Sequence, residues 1–180
     1  MLTGMGFGLE PQNLTADGLK TVELSWSGSL HLLADAFGVA IERIEVQPDF
    51  RLASDTFTTP TGFEIRKGTI AALKFALIGI VGGQPRFSIN HVNVIGSDIA
   101  PDWPKVGQYG GYRVEIDGDP SFVTDLALGL PGGTGNAFDD AMTMTAARCV
   151  NSIDMVVRAD PGYQTFLNLS PIGGKYALAH

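Results

Sequence analysis

Residues 69–95 read TIAALKFALIGIVGGQPRFSINHVNVI, and the fold turns on this stretch. From Thr69 to Val81 apolar side chains fall on both faces of an extended chain. Leu73, Phe75, Leu77 and Val81 share one face; Ile70, Ala72, Ala76, Ile78 and Ile80 share the other. Such a strand needs cover on both sides, from helices or from a partner subunit. Gly82-Gly83 supplies the positive-φ pair that a tight hairpin turn requires. Arg86 to Ile95 then returns antiparallel. Its alternation slips, with Phe87 and Ile89 on one face and Val92 and Val94 on the other, which predicts a bulge near Asn90-His91. Because both faces of the hairpin are apolar and the helices can share one of them, a second copy of the chain is expected to cover the other.

Working outward from the hairpin, Ile44, Val46, Pro48, Phe50 and Leu52 alternate with Glu45, Gln47, Asp49 and Arg51, a strand with one dry and one wet face. Pro48 cannot donate a ladder bond, so this strand belongs at an edge or carries a bulge there. Thr58 to Gly62 reads as a turn, followed by a short strand at Phe63–Arg66. Before these, Leu30, Leu33, Ala34 and Phe37 define a helix over Ser25–Gly38, with Ser27 or Ser29 as cap and Gly38 at its end. After the hairpin, Gly96–Gly111 is a loop, and strands at Tyr112–Asp117 and Ser121–Leu128 flank the turn Gly118-Asp119-Pro120. Asn136 caps a second helix running to about Val150, with Asp139 and Asp140 in its first turn and Arg148 in its last. The sum is one α+β domain over residues 1–180. It consists of an open, mainly antiparallel sheet of about five to six strands against two main helices, with an irregular glycine-rich arm at 1–14 and an irregular tail at 161–180.

Composition excludes several classes. Among 180 residues, 44% are hydrophobic and 17% charged, which is globular. The net charge of −7 and the lack of any basic stripe argue against nucleic acid and against an anionic membrane surface. The apolar run Ile70–Val81 is broken by Lys74 and is too short to span a bilayer as a helix. Cys149 is the only cysteine, and Met1–Gly8 lacks the basic start and apolar stretch of a secretory signal, so a cytoplasmic protein is expected.

Motifs that carry chemistry are sparse. Gly132-Gly133-Thr134-Gly135 leads into a helix N-terminus and can be an anion site or a plain connector; no Gly-Lys-Ser/Thr follows it. Gly4-Met5-Gly6-Phe7-Gly8 has no strand before it and is not a dinucleotide fingerprint. His31, His91 and His180 form no metal pattern, and with one cysteine no zinc site is expected. Asp49, Asp55, Glu64, Glu115 and Asp125 could serve acid–base work, but each lies on an alternating strand and reads as solvent-facing. The catalytic candidates are His91, Arg113, Glu115 and Arg148. The substrate-binding candidates are Gly6, Phe7, Gly8, Asn136 and Asn151.

Several segments in order carry a resemblance. These are Leu33-Ala34-Asp35-Ala36-Phe37-Gly38-Val39, Asp49-Phe50, Pro60, the strand between Gly68 and Gly83, Pro101-Asp102-Trp103, Gly111–Pro120, Ala147–Ile153 and Ala159-Asp160-Pro161-Gly162. Together they resemble the C-terminal half of dihydrodipicolinate reductase-like amine dehydrogenases of the 2,4-diaminopentanoate dehydrogenase type, over roughly Gly6 to Gly174. The resemblance implies an α+β domain with an open sheet that closes over a nicotinamide held by a separate Rossmann half, contacts substrate and forms a dimer or tetramer. The His-His-x-x-x-Lys-type motif of true dihydrodipicolinate reductases is missing, so that activity is not implied, and no catalytic residue is carried over. By this reading the 180 residues bind no cofactor alone, and NAD(P) enters only with a Rossmann partner, whether the chain is a split subunit or a piece of a longer protein. Two rival readings remain: a standalone enzyme or binding protein with a pocket between sheet and helices, and an oligomeric scaffold without catalysis.

Overall fold

The computed structural model describes residues 6–13, 15–96, 98–131 and 135–171. They gather into two compact units, Met1–Trp103 and Pro104–His180. The elements in order are α1 (Ala16–Ala36), β1 (Arg43–Leu52), β2 (Phe57–Thr58), β3 (Glu64–Ile65), β4 (Ile70–Val81), β5 (Gln84–Val94), β6 (Gly111–Ile116), β7 (Phe122–Ala127) and α2 (Ala137–Arg158). This is the α+β class with antiparallel pairing, its strands grouped as β1-β4-β5, β2-β3 and β6-β7.

In the first unit the doubly apolar strand is the centre of its sheet. β4 pairs with β1 through Val46↔Leu77 and Phe50↔Leu73, and with β5 through Leu77↔Ile89 and Phe75↔His91. Partners across an antiparallel ladder share a face. One face therefore carries Ile44, Val46, Pro48 and Phe50 of β1, Leu73, Phe75 and Leu77 of β4, and Phe87, Ile89 and His91 of β5. Leu19, Val22, Trp26 and Leu30 of α1 pack in the same cluster as these residues, and Leu30, Ile70, Leu73 and Leu77 are fully buried. Pro48 lies on the edge strand, as its missing N–H requires; the register shift in β1 falls at Arg51/Leu52 instead.

The hairpin turn is as expected. Gly82 and Gly83 have φ of 59° and 72°, and Val81 pairs directly with Gln84. The Glu42 carboxylate accepts from both turn N–H groups, Gly82 at 2.9 Å and Gly83 at 3.2 Å.

The expected bulge at Asn90-His91 is not there. Asn90 pairs with Ala76 and His91 with Phe75 in unbroken register, and the shift lies at Gly79/Ile80, opposite Pro85–Phe87. The slip in hydrophobicity has another cause: the two ends of β5 are covered on opposite faces. Phe37 of the α1 end stacks on Phe87, with ring centroids 5.7 Å apart. At the other end Val92 and Val94 pack with Ala72, Ala100 and Trp103. That second cover comes from the same chain, and neither Ile78 nor Ile80 is exposed. Ala76 and Ile78, in the middle of that face, stay half-buried.

α1 begins nine residues before Ser25, capped by the Thr15 hydroxyl, which accepts from Gly18 N–H at 3.2 Å. Ser27 and Ser29 lie inside it. It ends as expected: Gly38 takes φ 66°, where a Cβ would be strained, and its N–H reaches Asp35 O. The segment Phe7–Leu9 of the arm is docked, since Phe7 is buried in the core and Gly8 and Leu9 bond to Ile70.

The second unit holds the β6–β7 hairpin and α2. Asn136 caps α2 as expected, accepting from Phe138 N–H at 2.9 Å and Asp139 N–H at 3.4 Å. The helix runs past Val150 to Arg158 and stops before Asp160-Pro161, because the residue before a proline is held extended. The expectations for Gly132, Gly133, Thr134 and His180 fall outside the described residues.

Leu77 touches the core from the centre of β4 and is fully buried. Leu77→Ala is expected to cost about 2–5 kcal/mol, read as a lower urea midpoint by circular dichroism.

Candidate functional site

Residues Asp49, Arg51, Lys74, Asp102 and Trp103 form a linked cluster in the first unit. The β1 and β4 registers place Asp49, Arg51, Lys74 and Ala72 on one sheet face, with Asp49 directly opposite Lys74. The turn at Ala100–Trp103, closed by Trp103 N–H to Ala100 O at 3.2 Å, lays the buried indole on that face. Arg51 bridges the two carboxylates, 2.6 Å from Asp49 and 3.1 Å from Asp102, and Lys74 lies 3.3 Å from Asp49. The Arg51 guanidinium and Lys74 ammonium stand 5.0 and 5.1 Å from the Trp103 ring centre, within cation–π reach.

The electrostatics leave this cluster without a free acid or base. Partial desolvation pushes the Asp49 carboxyl upward, but hydrogen bonds and charge from Arg51 and Lys74 outweigh it and hold it below the ordinary carboxylate value. Asp102 and Asp49 together raise Arg51. With two anions and two cations paired, the cluster pins the Ala100–Trp103 turn to the sheet. The Trp103 indole N–H is buried without a hydrogen-bond partner, which makes the ring's packing and the two cations its whole attachment.

His91 sits on the opposite face, between the sheet and α1, its ring 4.9 Å from that of Trp26. It is the only titratable side chain that β1, β4 and β5 place on this face. Its Nε2 is buried and unpartnered, and burial lowers its pKa below 6.5. A catalytic histidine must come within hydrogen-bond reach of its proton partner; this nitrogen is enclosed.

The other candidates divide between the two units. Gly6, Phe7 and Gly8 hold the arm against the core of the first unit, with φ of 96° at Gly6 and 72° at Gly8. In the second unit Arg113 and Glu115 come within 3.9 Å, but Arg113 is engaged by Asp125 through two bonds of 2.7 Å. That fork lowers the Asp125 carboxyl and raises Arg113. Arg148 stacks over Phe166 at 4.3 Å, Asn136 is spent on its helix cap, and Asn151 is exposed on α2. A shallow polar depression near the end of α2 is lined by Arg158, Ala159, Asp160, Tyr163, Gln164 and Asn168. No group of three metal-ligating side chains is present among the described residues.

Sequence reading missed the Trp103 cluster as a unit. Its signals were present separately: a lysine interrupting the most apolar strand, Asp49-Phe50, and Pro101-Asp102-Trp103. Arg51 and Asp102 are 51 positions apart, and only the sheet brings them together.

Comparison with known proteins agrees with the geometry. The sequence model of the 2,4-diaminopentanoate dehydrogenase C-terminal domain matches residues 2–175. An amine dehydrogenase of Streptomyces virginiae is 36% identical over 146 residues, which are 80% of this chain and 40% of that protein. The 2,4-diaminopentanoate dehydrogenase of Acetoanaerobium sticklandii is 27% identical over 168 residues, 92% of this chain and 43% of that protein. The amine dehydrogenase structure from Mycobacterium smegmatis superposes with a TM-score of 0.57 at 19% identity, over 80% of this chain and 38% of that one, and shows the same fold. The chain belongs to the 2,4-diaminopentanoate dehydrogenase C-terminal domain family. It spans about two fifths of the length of the curated relatives it matches.

Two outcomes test these assignments. Trp103→Ala should cost about 3–5 kcal/mol of unfolding free energy, whereas Asp102→Asn, on an exposed pair, should cost under about 1 kcal/mol; equal losses would mean that the ion pair and not the indole holds the loop. Because the folded pKa of His91 is depressed, the unfolded chain takes up its proton first as pH falls. Stability is therefore full above the ordinary value of 6.5 and declines below it. Urea midpoints at pH 7.5 and 5.5 should differ in that direction, and His91→Leu should flatten the difference.

Proposed function

We propose that this chain is the substrate-contacting and assembly half of an NAD(P)-dependent amine dehydrogenase, working with a Rossmann half that holds the nicotinamide. The observation that carries the reading is the family match across residues 2–175, nearly the whole chain, to a domain that accounts for only part of each relative. The site chemistry supports it. Every strand pair among the described residues is antiparallel, so the parallel β–α–β unit that grips a dinucleotide's pyrophosphate is not formed by them. A nicotinamide dinucleotide would be gripped by the Rossmann half and not by these strands. Hydride transfer requires the nicotinamide and the substrate carbon to be held together; this half would supply the substrate side and the contacts between subunits.

The partners proposed are a Rossmann domain, in the same or a separate chain, and further copies of this chain. A cytoplasmic setting goes with a nicotinamide partner and an exposed free thiol at Cys149. No helix among the described residues is long and apolar enough to cross a membrane.

The 180-residue chain alone is expected to show no saturable micromolar binding of NADH or NADPH when titrated by nicotinamide fluorescence. Fused behind the cofactor half of the Streptomyces virginiae relative, it should restore NAD(P)H-dependent reductive amination of a carbonyl compound. Tight binding by the chain alone, or a folded fusion without amine formation, would overturn the reading.

A further inference from the structure

Two Asp-Gly pairs stand in the sequence, Asp17-Gly18 and Asp117-Gly118, and no Asn-Gly pair. An aspartate before glycine is open to ring closure through its side chain, because no Cβ on the next residue shields the main-chain nitrogen. That nitrogen reacts only where the backbone lets it meet the carboxyl carbon. Both pairs are exposed, so access to solvent does not separate them. Their backbones do.

Asp17 lies in the first turn of α1. A helical ψ of about −42° points the following N–H along the helix axis, and Gly18 N–H is bonded there to Thr15 Oγ1 at 3.2 Å. The Asp17 carbonyl accepts from the Thr21 hydroxyl at 2.9 Å, and Leu19 and Val22 pack this end of the helix on the core. The pair cannot turn without undoing the helix. Asp117 instead opens the loop 117–121, which Ile116↔Phe122 closes and which holds no helix or strand. One hydroxyl gathers its reacting groups. Ser121 Oγ accepts from Gly118 N–H at 3.1 Å and lies 3.5 Å from Asp117 Oδ1, and its bond to Gly118 O at 2.8 Å keeps it there. Space around Gly118 is open: a Cβ on it would meet nothing nearer than Ile116 Cγ2 at 3.7 Å.

We propose that Asp117-Gly118 is a site of spontaneous isoaspartate formation in the folded chain. The Gly118 nitrogen bonds to Cγ of the neutral Asp117 carboxylic acid while the Cγ–OH bond breaks. The hydroxyl and the N–H proton leave together as water. Water then opens the five-membered succinimide at its main-chain carbonyl, breaking the original peptide C–N bond. The chain now runs through the Asp117 β-carbon and a carboxylate stands on its Cα. One water leaves and one returns, so the mass is unchanged and nothing is oxidised or reduced. The main chain gains one atom beside the Ile116↔Phe122 pair. None of this rests on the dehydrogenase reading.

The test is to hold the full chain at about 37 °C and pH 6, digest samples with trypsin, and resolve peptides 1–20 and 114–148 by chromatography with electron-transfer fragmentation, which distinguishes the two linkages at equal mass. Isoaspartate should build up at position 117 about tenfold faster than at position 17. In guanidinium chloride, with the helix gone, the two rates should converge. Gly118→Ala has room in the turn and should slow the reaction at 117 about tenfold by shielding the nitrogen. Asp117→Asn should close the same ring with loss of ammonia and emerge from hydrolysis with an acid in place of its amide, read as a mass change in peptide 114–148. Absence of isoaspartate at 117, equal rates at 17 and 117 in the folded chain, a difference that persists in guanidinium chloride, Gly118→Ala reacting as fast as the unaltered chain, or Asp117→Asn keeping its amide would overturn the proposal.

Discussion

The first unit depends on having a central strand that is apolar on both faces. β4 cannot be left with one side in water, so two different pieces of chain are drawn onto it. α1 covers the Leu73–Phe75–Leu77 face. The Ala100–Trp103 turn covers the far end of the opposite face, over Ala72, Val92 and Val94. Where neither reaches, β1 and β5 flank the strand with polar side chains such as Arg43, Glu45, Ser88 and Asn90. Even the turn follows from this constraint: a hairpin of this length needs a turn that does not splay its strands, and Glu42 fixes the two glycine N–H groups in place.

The second unit shows the same constraint unmet. On β6–β7 the register puts Tyr112, Val114, Ile116, Phe122 and Leu126 on one face, and all are exposed. A two-stranded ribbon is marginal by itself, and the ion pair from Arg113 to Asp125 on its other face adds little in water. Such surfaces are seldom left open in a stable protein. The first unit covers most of its own central strand, whereas the second leaves one face of its hairpin exposed.

Much of this was legible from periodicity. The strand apolar on both faces, the glycine turn, the edge position of Pro48, the Gly38 stop and the Asn136 cap follow from local chemistry, and the structure has each of them. The misreadings have physical causes too. The stripe Leu19, Val22, Trp26 and Leu30 continues α1 backwards, but Ser27 and Ser29, nearer its middle, suggested a later start. The slip along β5 looked like an extra residue because alternation cannot distinguish a bulge from a change in which face is covered. The second helix was expected to end near Val150, with Arg148 as the cation of its last turn, yet Arg158 fills that role and Pro161 sets the stop. The Trp103 cluster was illegible as a cluster, since ion pairs between distant strands leave no local pattern.

The charged groups also bear on what this chain contributes to chemistry. Asp49 and Asp125 are each held below the ordinary carboxylate range by cations, so both stay ionised through neutral pH and neither is poised to give up a proton. Arg51 and Arg113 are the matching fixed cations. His91 is biased towards its neutral form and faces a helix. A general acid or base works best when its pKa lies near the working pH, and among the described residues none of these groups is arranged that way. What the contacts do provide is anchoring: the Ala100–Trp103 turn, the segment Phe7–Leu9 and the start of α2 are each held by packing or hydrogen bonds. Groups held in one charge state suit the positioning role proposed for this half better than proton transfer.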